Sequence, residues 1–187
     1  MAELERLQKL VDHSFTASRW HVADLTDKEF FRAPTKPCWG VWRRGEAPRP
    51  DVLGTGEWVI DEHGPDAPLV PTIGWRVLHL AVWTDIYREW TFGFRRPKAE
   101  EFTYPGSAAK AVAWLERAQE AFSRSVHGLT ENDLKTPRPT HYGTQRSAGD
   151  IIWDVAIEHT HHGAEIGVLR DLMRGRARDD WYPGPWR

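Results

Sequence analysis

A single cysteine, Cys38, excludes an internal disulfide and any Cys-x-x-Cys pair. Basic charge is not in excess either. With 25 Lys and Arg against 27 Asp and Glu, the formal net charge of −2 leaves nothing to neutralise a phosphate backbone, so nucleic acid is excluded as the expected partner. No apolar run approaches the ~20 residues that span a bilayer, and the opening Met1-Ala-Glu-Leu-Glu-Arg6 lacks a basic stretch followed by an apolar one. A cytoplasmic location without a membrane partner is therefore expected. The sequence also lacks a His-Glu-x-x-His zincin motif, a Gly-rich phosphate loop and a Gly-x-Ser-x-Gly elbow. What is present, 40% hydrophobic and 28% charged residues over 187 positions, suits one globular domain spanning 1–187 and rules out disorder. Eleven Trp against two Met is the outstanding bias, and it asks for a structural explanation.

Hydrophobic periodicity gives four helices. Over residues 3–24, Leu4, Leu7, Val11, Phe15 and Val22 recur with the spacing of one buried helical face. From about Arg32 to Pro71, seven prolines (34, 37, 48, 50, 65, 68 and 71) forbid a continuous helix. Cys38–Trp42 and Gly56–Asp61 read there as short strands within a long packed loop, a length more often functional than decorative. Thr72 is a candidate N-cap for a second helix, on which Trp75, His79, Trp83, Ile86 and Trp90 form one stripe. A third helix carries Ala108, Ala111, Leu115, Ala118, Phe122 and Val126, closed by Gly128. Ser147-Ala-Gly-Asp150, an acidic capping box, opens a fourth helix that runs to about Arg174 with Gly175 beyond.

Leu25-Thr-Asp-Lys-Glu-Phe30 after the first helix is echoed by Leu129-Thr-Glu-Asn-Asp-Leu134 after the third, each followed by proline. The echo divides the chain into two helix-loop-helix units, although Leu-Thr-x-x-x-hydrophobic is also a common helix exit. Either way the expectation is an all-α four-helix bundle with a long Pro/Trp-rich loop between its first two helices.

The fourth helix places Ile151, Val155, Ile166, Leu169 and Met173 on one face, with Glu158 and His162 in its middle and Glu165 and Leu172 at its flanks. A carboxylate in an apolar stripe is costly unless paired, neutralised or bound to a cation. Glu158 and His162, four residues apart, lie side by side, and His79 holds the equivalent place on the second helix. Together they offer two imidazole nitrogens and one carboxylate oxygen, a set suited to a divalent metal with positions left for water or substrate. Two plainer readings stand beside this one: a hydrogen-bonded core histidine at 79, and an ordinary i, i+4 pair at 158 and 162. His161 sits at the stripe's edge, whereas His159 turns towards a neighbouring element or solvent.

The segments Thr72-Ile-Gly-Trp-Arg-Val-Leu-His79-Leu and Glu158-His-Thr-His-His162-Gly-Ala-Glu-Ile-Gly-Val-Leu-Arg-Asp-Leu172 resemble the DinB-like (YfiT-type) metal-binding four-helix family, over nearly the whole chain. That resemblance implies a divalent ion, zinc or nickel, held by three histidines, one on the second helix and two spaced by four on the fourth. His79 and His162 match, while Glu158 stands where the family has histidine. It further implies a metal-dependent S-transferase that joins a low-molecular-weight thiol, mycothiol or a similar one, to a small electrophile, and it suggests a homodimer. The alternative is a non-catalytic binding or stress-response protein whose metal site is structural or vestigial. No catalytic residue is assigned. Trp75 and Trp83 bracket His79, and with Trp39, Trp42 and Trp58 they suggest an aromatic-walled pocket, core filling being the plainer role of each. His141, Tyr142 and Arg146 are candidates for an acid/base or anion contact. Cys38 reads as a packing residue rather than a nucleophile.

Overall fold

Leu7, Val11, Phe15 and Val22 are buried along one side of α1 (Glu3–Val22), whose acidic first turn and basic last turn complement the helix dipole. The computed structural model describes residues 2–62 and 70–175. After α1, the one-turn helix α2 (Asp27–Phe30) is set by a capping box in which the Thr26 hydroxyl accepts from the Glu29 amide and the Glu29 carboxylate accepts from the Thr26 amide. At the 3₁₀ turn Glu131–Lys135, Asp133 Oδ2 likewise accepts from the Thr130 amide and hydroxyl, while the Asp133 amide donates to the Thr130 carbonyl, so the two echoed segments share the carboxylate half of the box.

The remaining helices are α3 (Ile73–Phe92), α4 (Ala108–His127) and α5 (Ala148–Arg174). Thr72 caps α3 by accepting from the Trp75 amide, and Ser147 caps α5 by accepting from the Asp150 amide, as the sequence predicts. Gly175 adopts φ +62, a left-handed C-cap, but Gly128 closes α4 at φ −83 and uses none of glycine's special freedom. The predicted face of α4 is buried at all six positions. The bundle packs α1 against α4 and α5, and α3 against α4 and α5. Among the described residues no helix is long and apolar enough to cross a membrane.

The proline-rich segment is more ordered than a packed loop with two strands. It forms a small antiparallel sheet in the order β1-β3-β2, from β1 (Val41–Arg43), β2 (Val52–Leu53) and β3 (Trp58–Asp61), with Val41 opposite Ile60 and Val52 opposite Asp61. The fully buried Asp61 fixes it. Its Oδ2 accepts from the Gly40 amide and Trp42 Nε1, both at 2.7 Å, and its backbone carbonyl accepts from Trp75 Nε1 at 2.8 Å. Pro65 and Pro68 of this segment lie outside the described residues. A second hairpin, β4 (Pro137–Pro139) with β5 (Gln145–Ser147), precedes α5.

α5 departs from the single-face reading. Besides Ile151, Val155, Ile166 and Leu169, it buries Ile152, Ala156, His159 and Gly163. Gly163 and Gly167 lie where a Cβ would approach Ser18 and His21, so their missing side chains let α1 come close. Arg170 reinforces the junction from its 8% exposed side chain: it donates to the His21 and Ala23 carbonyls, at 2.7 and 2.8 Å, and pairs with Glu29 at 3.2 Å. These carbonyls end α1, where positive charge is favoured.

Candidate metal centre

Because the Trp75-to-Trp90 stripe of α3 faces both α5 and the small sheet, His79 lies where the two helices meet. The Nε2 of His162 is 2.9 Å from Glu158 Oε2, and the Nε2 of His79 is 3.7 Å from the same oxygen. One ligand atom from each of the three residues lies within 4.8 Å of the others. The three residues nominated from the sequence are thus brought together. The His79 side chain is 18% exposed and that of His162 8%, whereas that of Glu158 is 46% exposed.

The donor set fits a divalent cation. A metal-ligating imidazole must be neutral, and burial, which outweighs the attraction of Glu158, pushes His79 down to about 4. The His162 and His79 imidazoles hold the Glu158 carboxyl well below the usual carboxylate range, overcoming burial, so it is anionic at neutral pH. His79 is stacked on Trp75, with ring centroids 4.8 Å apart, and meets the edge of His162 at 5.0 Å. These rings fix its plane.

Behind His162 stands a relay the sequence reading did not assign. His162 Nδ1 is 2.7 Å from Glu165 Oε2, and Arg76 on α3 grips both Glu165 oxygens, at 2.7 and 3.1 Å. Arg76 in turn lies over the Trp75 ring at 5.2 Å. Carboxylates that accept from the far nitrogen of a ligating imidazole fix its tautomer and leave the other nitrogen free to coordinate. The available signal was Arg76 three residues before His79 and Glu165 three after His162, complementary charges on facing helices. His161, Glu165 and His162 form a second possible cluster. It is the weaker one, because Arg76 already neutralises Glu165 and the His161 side chain is 61% exposed. His161 therefore borders the site, with its ring stacked on His162 at 4.6 Å.

His159 points into the bundle. Thr84 Oγ1 donates to the Leu80 carbonyl at 2.6 Å and so accepts from His159 Nε2 at 2.8 Å, while Gln119 Nε2 donates to His159 Nδ1 at 3.1 Å and to Ser18 Oγ at 2.8 Å. The ring is neutral and satisfied on both nitrogens, with burial holding it down at about 3.

A pocket of about 350 Å³ opens beside His79. Trp75, Trp83 and Trp90 form its α3 wall, with Leu53 and Ile60 of the sheet opposite and His141 from the β4–β5 turn. The loop tryptophans expected there are elsewhere. Trp39 stacks on Trp75 at 5.4 Å, Trp42 bonds to Asp61, and Trp58 packs against Phe31 at 5.3 Å. Trp39 fills the core, Trp58 packs against it half-buried, and the half-buried Trp42 anchors the sheet through Asp61. Of the remaining candidates, Tyr142 is 73% exposed and Arg146 is paired with Asp154. Cys38 is buried and outside the pocket lining, with burial raising its thiol above its ordinary value.

No match is found among curated proteins. The chain is similar in structure to a DinB-like protein from Bacillus cereus ATCC 10987, with a TM-score of 0.62 and 14% identity over 95% of this chain and 97% of the other. At that identity the likeness speaks for the fold. The sequence profile of the DinB superfamily matches residues 10–166, most of the length, and the chain therefore belongs to the DinB superfamily.

Proposed function

We propose that His79, Glu158 and His162 hold a divalent metal ion, zinc or nickel, and that the protein is a metal-dependent S-transferase joining a low-molecular-weight thiol, mycothiol or a similar one, to a small electrophile. The observation that carries this reading is the convergence of three donor atoms within 4.8 Å at the edge of a 350 Å³ pocket. A structural metal site is closed on all sides, whereas this one has an exposed carboxylate and an adjoining cavity. Cations of this kind lower the pKa of a coordinated thiol and hold the thiolate in place.

The chain's own residues supply the rest. Glu165 and Arg76 keep His162 in one orientation, and the tryptophan wall of α3 shields the electrophile from water. In the reaction, the thiol sulfur forms a bond to an electrophilic carbon. The thiol proton leaves with the displaced group in a substitution, or is delivered to the neighbouring carbon in an addition. The buried Cys38 takes no part.

The test is elemental analysis of protein purified without a nickel column, beside His79→Ala and Glu158→Ala. Stoichiometric metal that is lost in both variants supports the site, and thiol-dependent consumption of an electrophile, lost in His162→Ala, supports the activity. Wild-type protein that is metal-free and cannot be loaded with zinc, nickel, manganese or iron would overturn both.

A further inference from the structure

Apart from His79, the pocket beside the metal centre offers a ligand few polar atoms. The indole N–H of Trp75 is spent on the Asp61 carbonyl at 2.8 Å, and that of Trp90 on the Pro97 carbonyl at 3.1 Å. His141 contributes ring surface alone. Both of its nitrogens are closed to solvent, with Trp83 packed on the ring at 4.7 Å, Tyr87 at 4.9 Å and Tyr142 at 3.8 Å. Burial pushes this imidazole down to about 4, so it is neutral at neutral pH. With Leu53, Ile60, Ile86 and Pro97 completing the lining, the walls present mainly carbon.

Shape narrows the choice. The cavity follows one face of α3 from His79 through Trp83 and Ile86 to Trp90, which is ~16 Å of helix. A volume of about 350 Å³ spread over that length leaves a section of roughly 20 Å², a slot for one slender body. Charge on the described lining residues is confined to Glu62, Lys98 and Glu100, all three exposed. An ionised group carried past them into the slot would lose its water and gain no partner of opposite charge.

We propose that this slot binds the hydrocarbon body of an uncharged, elongated molecule, which lies along α3 between His79 and Trp90 and is held by apolar contact rather than by hydrogen bonds. Its place in a reaction rests on the metal reading above: the electrophile is then an uncharged apolar compound rather than a carboxylate, phosphate or ammonium, and its reactive end lies beside His79. Binding itself resides in the tryptophan face and the sheet, so it persists in metal-free protein.

The experiment uses the full chain treated with chelator, and compares naphthalene, 2-naphthoate and 2-naphthylmethylammonium by ligand-observed NMR titration. Wild type is expected to bind naphthalene at least about tenfold more tightly than either ion. Two variants place the binding in the slot. Trp90→Ala removes its far wall, and Leu53→Asn, nearly isosteric, puts an amide into the opposite one; each is expected to weaken naphthalene by about tenfold. Should Trp90→Ala fail to fold, Leu53→Asn alone decides. A charged probe that binds wild type as tightly as naphthalene would overturn the proposal, as would folded variants that keep the wild-type affinity for naphthalene. Because no metal is present in these titrations, failure of the metal site leaves their outcome intact, and failure of the slot leaves the metal content unchanged.

Discussion

Arg76 on α3 grips Glu165 on α5 through two contacts, at 2.7 and 3.1 Å, and this pair sets the orientation of His162 from behind. The arrangement separates holding a ligand from being one. Replacing Glu165 by Ala keeps all three donors and removes the acceptor at His162 Nδ1 together with the ion-pair partner of Arg76. Zinc affinity, measured by competition with a chromophoric chelator, is expected to fall by about 10- to 100-fold, against near-complete loss in His79→Ala. Equal affinity in Glu165→Ala and wild type would remove the relay from the account.

The His159 network predicts a stability effect away from the pocket. His159→Ala leaves Gln119 and Thr84 without their partner and opens a cavity beside Phe15, whose ring lies 4.5 Å from that of His159. A loss of about 3 kcal/mol is expected in urea unfolding. A loss below about 1 kcal/mol would mean that water or repacking replaces the imidazole.

Acid stability should depend on Glu29. Burial works against its charge, but hydrogen bonds from the Thr26 amide, Arg170 and Arg174 win and lower it from 4.5 to about 2. Its folded-state pKa is depressed, so its stabilisation is fully present above pH 4.5 and is lost as pH falls towards 2. The stability gap between wild type and Glu29→Gln is therefore expected to be widest at neutral pH and to close across that window. A gap that stays constant from pH 6 to pH 2.5 would contradict the assignment.

At the start of α3, a Cβ on Gly74 would sit 2.7 Å from the Phe30 carbonyl oxygen and 2.8 Å from its ring. Alanine gains up to about 1 kcal/mol in helix propensity. Overpacking against the backbone of α2 costs more, so Gly74→Ala is expected to destabilise by about 1 kcal/mol net, read from thermal unfolding. A stabilised variant would show that α2 yields freely.

The helices were legible because burial imposes a period, and Thr72 and Ser147 announced their starts by the chemistry of the N-cap. The ligand trio was legible for a related reason: His79, Glu158 and His162 interrupt apolar stripes on helices whose faces the period already fixed. What escaped were contacts between elements distant in sequence. Glu165 looks like a flanking surface residue until Arg76 is placed across from it, and nothing local puts Trp39 on Trp75 or leaves His141 beside Trp83. The second buried face of α5 begins with the apolar Ile152 and Ala156, but it continues through His159, Gly163 and Gly167, which carry no hydrophobic signal, so it does not read as a stripe.

His159 has a consequence beyond stability. It is clasped by Ser18, Thr84 and Gln119, one from each of the other three long helices, and it sits between Glu158 and His162 on α5. A rotation of α5 about its axis, or a slide by one residue, would break all three contacts at once. The buried imidazole therefore works as an indexing pin, and the setting that engages it is the one that aims Glu158 and His162 at His79.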